Sequence, residues 1–185
     1  MTEMTLVLLR HAKTEQAGPP TQGDHGRRLL ERGTADARAA GRVLIDYDLV
    51  PDLVLCSTSV RTVQTWEAMV DGAAEAASDD GDRGPLADVE VWHDRRIYNA
   101  SPGELLDVLG GVPDDARVVA MVGHAPGIPA LAVGLIDPDE PASAASQELS
   151  AGFPTMALAV LDGVSEDPAP SAGSMSLRLV HTCRR

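Results

Sequence analysis

Short uninterrupted apolar runs alternate along this chain with segments of helical periodicity, and that alternation narrows the open architectures more than any other feature of the sequence. Thr5 to Leu9 is continuously apolar after its threonine, as a strand buried on both faces must be. A polar loop bearing Gly and Pro follows from Arg10 to about Arg28. A helix is predicted over Glu31 to Asp46, with Ala37, Ala40, Val43 and Leu44 on one stripe. Leu53 to Cys56 is the second run. Ser57, Thr58 and Ser59 offer N-cap chemistry to a helix starting near Val60, which turns Val63, Trp66 and Val70 inward. Gly72 to Asp88, with Asp79-Asp80-Gly81-Asp82, reads as a frayed helix end and a mobile acidic loop. Val89 to Trp92 is a third strand, and Ser101-Pro102-Gly103-Glu104 opens a helix with a capping box and an early proline. Arg117 to Val122 is a fourth strand, with a helix from about Pro126.

The alternation stops there. Asp137 to Ser150 is polar, and two runs, Met156 to Leu161 and Met175 to Val180, are separated by a Pro/Ser/Asp-rich linker without helical spacing. They are expected to pair antiparallel, since a parallel pair needs a crossover. The prediction is a three-layer α/β/α sandwich: a mostly parallel sheet of about six strands with an antiparallel edge strand. With 185 residues the chain has length for one domain with a sizeable core.

Charge excludes several partners. Fifteen basic residues against 28 acidic ones leave a formal charge of −13, so neither nucleic acid nor an anionic membrane is an expected partner. No apolar run reaches the roughly 18 residues of a membrane span. The start, Met1-Thr2-Glu3-Met4, carries an acid where a signal peptide carries a base, so a cytoplasmic location is expected. Cys56 and Cys183 form no CxxC spacing, which argues against a disulfide framework or a structural zinc site. The nucleotide-binding, GxSxG and HExxH signatures are absent, against an NTPase, a dinucleotide enzyme, a serine hydrolase and a zincin.

Open α/β sheets bind ligands beyond the carboxyl ends of their strands. The first strand ends in Arg10-His11. The second leads to Arg61 in the opening turn of a helix, and the fourth ends in Gly123-His124. Two arginines and two histidines should therefore meet on one rim of an otherwise acidic molecule. Arginine forks match phosphoryl oxygens, and helix N-termini near Arg61 and Pro126 favour an anion. A histidine there can donate to the phosphoryl group or attack it, and nearby arginines favour the neutral, nucleophilic ring. His25, His93 and His181 lack such a setting and read as structural or surface residues.

At these positions the sequence resembles the histidine phosphatase superfamily, whose fold is phosphoglycerate mutase-like, and most closely its short SixA-type phosphohistidine phosphatase branch. Leu8-Leu9-Arg10-His11-Ala12-Lys13-Thr14 is similar to the nucleophile motif of that branch. Asp24, Arg27 and Leu29 followed by Glu31-Arg32-Gly33, and the stretch from Ser57 to Thr65, are similar to its next two motifs. Ile97 to Ser101, Val122 to Gly127 and Phe153-Pro154-Thr155 match later blocks, so the likeness covers nearly the whole chain and implies a single domain over residues 1–185. The resemblance implies that His11 takes the phosphoryl group as a phosphohistidine that water then hydrolyses. It implies that Arg10, Arg61 and His124 bind the phosphoryl oxygens, with no cofactor and no metal. The substrate would be a phosphorylated protein or a small phosphorylated molecule.

The sequence departs from the common pattern at Ala12, where most of the superfamily has glycine; SixA-type members often share this change. A second departure concerns the acid that protonates a leaving oxygen in ester-cleaving branches. Asp94, after Trp92-His93, stands where such a general acid would. Without an acid, a better leaving group such as the imidazole of phosphohistidine is favoured. Three readings follow: a phosphohistidine phosphatase acting on a signalling or phosphotransfer protein, a small-molecule phosphomonoesterase using Asp94, and a catalytically silent phosphate-binding module.

Overall fold

The computed structural model describes residues 2–77, 84–165 and 170–184. Six strands form one sheet: β1 (Thr2–Arg10), β2 (Leu53–Ser57), β3 (Glu90–Asp94), β4 (Val118–Gly123), β5 (Ala157–Ser165) and β6 (Met175–Thr182). Their order is β3-β2-β4-β1-β5-β6. Five helices cover it: α1 (Glu31–Asp46), α2 (Val60–Ala77), α3 (Pro102–Leu109), α4 (Gly127–Leu135) and α5 (Ala144–Ala151).

Strand periodicity assigns the layers. In β1, Leu6 and Leu8 point to one face and Val7 and Leu9 to the other, and none of the four is exposed. Leu6 and Leu8 join Leu55 and Met121 in a core closed by Leu105, Leu109, Leu131 and Leu149 of α3, α4 and α5. Val7 and Leu9 join Val54 and Val122 in a core closed by Ala37 and Leu44 of α1 and Trp66 and Met69 of α2. This is the three-layer sandwich read from the sequence. Each fully buried aliphatic side chain stabilises it by roughly 1.5–3 kcal/mol relative to exposure.

β1 to β4 are parallel. β5 runs against β1, and β6 runs against β5. The edge strand β6 is therefore antiparallel to its neighbour, as expected, yet the strand that reverses direction in the sheet is β5, second from the edge. Pairing with β5 also lengthens β1: Thr2 to Leu9 lie opposite Ser165 to Leu158, and the Thr5 hydroxyl donates to Asp162 Oδ1 at 2.7 Å. Those extra residues pair on a long-range partner, so the local apolar run beginning at Thr5 could not show them.

Further differences from the sequence reading concern β3, α2 and the segment before β5. β3 lies slightly later than Val89 to Trp92, at the open edge of the sheet, where Trp92 is 37% exposed. α2 continues through Gly72 to Ala77 instead of fraying. A Cβ at Gly72 would come 2.0 Å from the Arg38 carbonyl oxygen, so this glycine permits close packing of α2 on α1 and does not end the helix. The Asp79–Asp82 acidic segment lies outside the described residues. Finally, the polar stretch before β5 contains α5, started by a capping box between Ser143 and Ser146 and held by buried Leu149.

The connections place the site. β1 and β4 are adjacent and parallel, with Arg10 opposite Gly123. The chain leaves β1 towards α1 on one face, and leaves β4 towards α4 on the other. Such a divergence opens a crevice at the carboxyl ends of the two strands.

Candidate active site

The backbone at the end of β1 is held from several sides. The His11 N–H donates to the Gly123 carbonyl at 3.0 Å, and the Met156 N–H reaches the Arg10 and His11 carbonyls at 3.2 Å. Met156 adopts φ +62°, a left-handed conformation that costs a long side chain about 1–3 kcal/mol and that the surrounding bonds maintain. The Ala12 N–H donates to Thr65 Oγ1 at 3.0 Å, while the Thr65 hydroxyl donates to the Arg61 carbonyl at 2.6 Å. One threonine thus joins the nucleophile motif to the second arginine motif. Ser59, expected as an N-cap, meets the Thr62 hydroxyl at 2.8 Å, and Thr62 lies 2.7 Å from the Ser57 carbonyl.

On this frame His11, Arg10, Arg61 and His124 come together. All four line one cavity of about 410 Å³ with Lys13, Thr14, Asp24, Arg27, Asn99, Ala125 and Thr155. The His11 and His124 ring centroids are 5.3 Å apart. His11 Nδ1 lies 2.8 Å from the Ala12 carbonyl oxygen. A carbonyl only accepts, so Nδ1 carries the hydrogen and Nε2 keeps its lone pair. Burial is the main cause that lowers the His11 pKa to about 4; its backbone hydrogen bond opposes this, and Arg61, Arg10 and Arg27 reinforce it. The ring is neutral at physiological pH.

His124 is buried beside it, its Nε2 2.9 Å from Ser57 Oγ. Burial, then Arg61 and His11, lower its pKa to about 3. Tyr98 packs edge-on against this ring with centroids 5.3 Å apart, and Arg61 Cζ stands over the Tyr98 ring, 5.5 Å from its centroid.

The arginines are oriented by acceptors that leave part of each fork unused. Arg10 donates through one terminal nitrogen to the Phe153 carbonyl at 2.7 Å. Arg61, 3% exposed, donates to the Asp24 carbonyl at 2.7 Å and to Asp24 Oδ2 at 3.0 Å. The Asp24 carboxylate also accepts from Tyr98 at 2.7 Å and from Arg27 at 3.0 Å. Hydrogen bonds from Tyr98 and Arg27 hold its pKa far below the usual carboxylate range, with Arg61 adding to the effect. Arg10 Nε, Arg61 Nε and His124 Nδ1 are buried and have no hydrogen-bond partner among the described residues. Buried polar atoms are ordinarily paired, and these three belong to residues that line one cavity.

Asp94 is not brought to the cavity. It caps the short 3₁₀ turn Arg95–Ile97, accepting from the Arg96 backbone at 2.8 Å and from the Arg96 guanidinium at 2.6 Å. The bond from Arg96 lowers its pKa, which suits an ionised cap and not a proton donor. Of the remaining histidines, His93 is exposed. His25 packs edge-on against Tyr98, with centroids 4.9 Å apart, and its Nε2 lies 3.1 Å from Thr58 Oγ1. It is not among the residues that line the cavity.

Residues 6–81 match the histidine phosphatase superfamily (branch 1). An uncharacterized protein of Mycobacterium tuberculosis is 33% identical over 154 residues, covering 83% of this chain and 85% of that protein. Among solved structures, a candidate phosphohistidine phosphatase SixA from Nakamurella multipartitia is 32% identical with a TM-score of 0.77, covering 98% of this chain and 96% of that one. A counterpart from Agrobacterium tumefaciens is 28% identical with a TM-score of 0.71, covering 96% of this chain and 97% of that one. The chain belongs to the histidine phosphatase superfamily. Its likeness runs to the SixA-type branch, and the chain is a phosphatase.

Several residues of this histidine phosphatase site were not singled out by sequence reasoning. Ser57 read as part of an N-cap, although β2 pairs directly with β4, Cys56 opposite Val122, so the next residue on each strand approaches the site. Thr14, Tyr98 and Asn99 carried no signal beyond lying in matched blocks. Asn99 adopts φ +54°, a conformation asparagine tolerates better than most residues. Among the described residues no helix is long and apolar enough to cross a membrane.

Proposed function

We propose that this phosphatase removes the phosphoryl group from phosphohistidine in a signalling or phosphotransfer protein, through a covalent phosphoryl-His11. The observation that carries the reading is the His11 Nδ1–H bond to the Ala12 carbonyl, which leaves Nε2 as a neutral nucleophile among Arg10, Arg61 and His124. In the first step His11 Nε2 attacks phosphorus, the P–N bond to the substrate imidazole breaks, and the leaving nitrogen keeps the electron pair and takes a proton from solvent. Arg10, Arg61 and His124 stabilise charge on the equatorial oxygens, a role that depends on donors fixed beforehand. In the second step water attacks phosphorus, the Nε2–P bond breaks, and phosphate leaves with His11 neutral again.

The choice of leaving group follows from the carboxylates. Asp24 is the one carboxylate among the described residues that line the cavity. Arg61, Arg27 and Tyr98 hold it ionised, so it has no proton to give an alkoxide. Asp94 is engaged by Arg96. An imidazole leaving group needs less help than an alkoxide, which favours phosphohistidine over a phosphomonoester.

The test is phosphate release from a phosphohistidine peptide, a phosphoserine peptide and p-nitrophenyl phosphate, all in EDTA and beside His11→Ala. The expected result is turnover fastest on phosphohistidine and abolished in the variant. Preference for an oxygen ester would overturn the substrate assignment. Phosphate binding without turnover on any substrate would replace the enzyme by a phosphate-binding module.

A further inference from the structure

We infer that Ser57 donates its hydroxyl hydrogen to Nε2 of His124 and so holds that ring in the Nδ1–H tautomer, making it a neutral donor to a phosphoryl oxygen. The inference rests on the reading of His124 as a phosphoryl ligand, and adds a positioning residue to that site. Ser57 is fully buried, and its Oγ meets His124 Nε2 at 2.9 Å and no other partner among the described residues. On the other side of the ring, Nδ1 is buried and unpaired among the described residues.

Two arrangements satisfy the contact, and they are not equivalent. If Nε2–H donates to Ser57, the serine hydroxyl hydrogen has no acceptor and Nδ1 presents a lone pair to the cavity. Two buried groups are then unsatisfied, and a lone pair faces the place where an anion would bind. If Ser57 donates to Nε2, the hydroxyl is satisfied and the ring hydrogen sits on Nδ1. One buried group is left over, and it is a donor, which a phosphoryl oxygen satisfies. Each unpaired buried polar group is costly, so the arrangement with fewer of them is favoured before any ligand arrives and more strongly afterwards.

A doubly protonated ring would avoid the choice, but the setting opposes it. Burial, Arg61 and His11 keep His124 neutral near physiological pH. The other groups facing the ring do not supply a hydrogen bond: Tyr98 touches it edge-on while its hydroxyl donates to Asp24. Ser57 itself is restrained, because its carbonyl oxygen lies 2.7 Å from the Thr62 hydroxyl that opens α2. The geometry parallels His11, where the Ala12 carbonyl places the hydrogen on Nδ1 and frees Nε2. The two neutral rings are thereby given opposite duties: His11 turns a lone pair to phosphorus, and His124 turns a hydrogen to oxygen.

The test is ¹⁵N NMR of the histidine side chains in the full chain near neutral pH, with and without orthovanadate, His124 being assigned by its absence in His124→Asn. The expected spectrum has the His124 hydrogen on Nδ1 and a bare Nε2, with vanadate retaining that form. In Ser57→Ala the ring should lose the fixed tautomer and vanadate Kd should rise about tenfold or more, with Ser57→Thr restoring both. A His124 hydrogen on Nε2 in the wild type would overturn the inference, as would an unchanged tautomer and Kd in Ser57→Ala. The wild-type spectrum needs no turnover, so an inactive protein with the Nδ1–H form would defeat the phosphatase mechanism and leave the tautomer assignment standing.

Discussion

Asp24 is where a single side chain bears most on the site. It accepts from Arg61, Arg27 and Tyr98 while its own side chain stays about half exposed. Its work is to aim Arg61, so Asp24→Asn should fold normally and lower kcat/KM on a phosphohistidine peptide by about tenfold to a hundredfold, the size expected for charge-assisted bonds. Tyr98→Phe, which removes one of the three bonds, should have a smaller effect in the same assay. With the His11 pKa lowered to about 4, chiefly by burial, the reactive neutral ring is lost only on acidification through that value. The pH profile of kcat/KM should rise through about pH 4 and be flat towards neutrality, where an ordinary histidine would give a limb near 6.5. The meeting of Arg10, His11, Arg61 and His124 at one cavity was legible in the sequence because each follows a strand of a predicted parallel sheet. Asp94 was placed by the same logic, yet its partner, Arg96, is two residues away, and a local charge pair took the carboxylate.

At the scale of elements, the loop between β1 and α1 is shaped by the start of the helix. The Leu30 N–H donates to the Lys13 carbonyl at 3.0 Å, and a Cβ at Gly33 would stand 2.1 Å from that same oxygen. Gly33 therefore lets the backbone after the nucleophile lie directly on the first turn of α1. Gly33→Ala should shift the Lys13 carbonyl, destabilise the protein by about 1–3 kcal/mol in urea unfolding and reduce turnover, the opposite of what alanine does in an open helix. The periodic helices and continuous apolar strands were visible locally. The length of β1, the continuation of α2 past Gly72 and the presence of α5 were not, because each depends on a contact made elsewhere: β5 for β1, the Arg38 backbone for Gly72, and a core that takes up Leu149.

Over the whole molecule the formal charge is −13, yet the cavity is lined by Arg10, Lys13, Arg27 and Arg61 against Asp24, the single acid among its described residues. The two buried histidines couple that site to stability. His11 has its pKa lowered from 6.5 to about 4, so between those values the unfolded chain binds more protons than the folded one, and stability falls as pH decreases. The contribution is complete above about pH 6.5. At about 1.4 kcal/mol per pKa unit, His11 should account for roughly 3 kcal/mol lost by pH 4. Urea unfolding of wild type and His11→Gln at several pH values should show the wild type falling more steeply over this window. Residue types and their spacing determined the strands, most of the helices and the identities of the two arginines and two histidines, since periodicity and strand-end chemistry are local properties. The tertiary structure decided which nitrogen of His11 is free, which carboxylate meets Arg61, and that Ser57 stands against His124. Those are contacts between strands and loops distant in the chain, and no local pattern records which hydrogen goes to which acceptor.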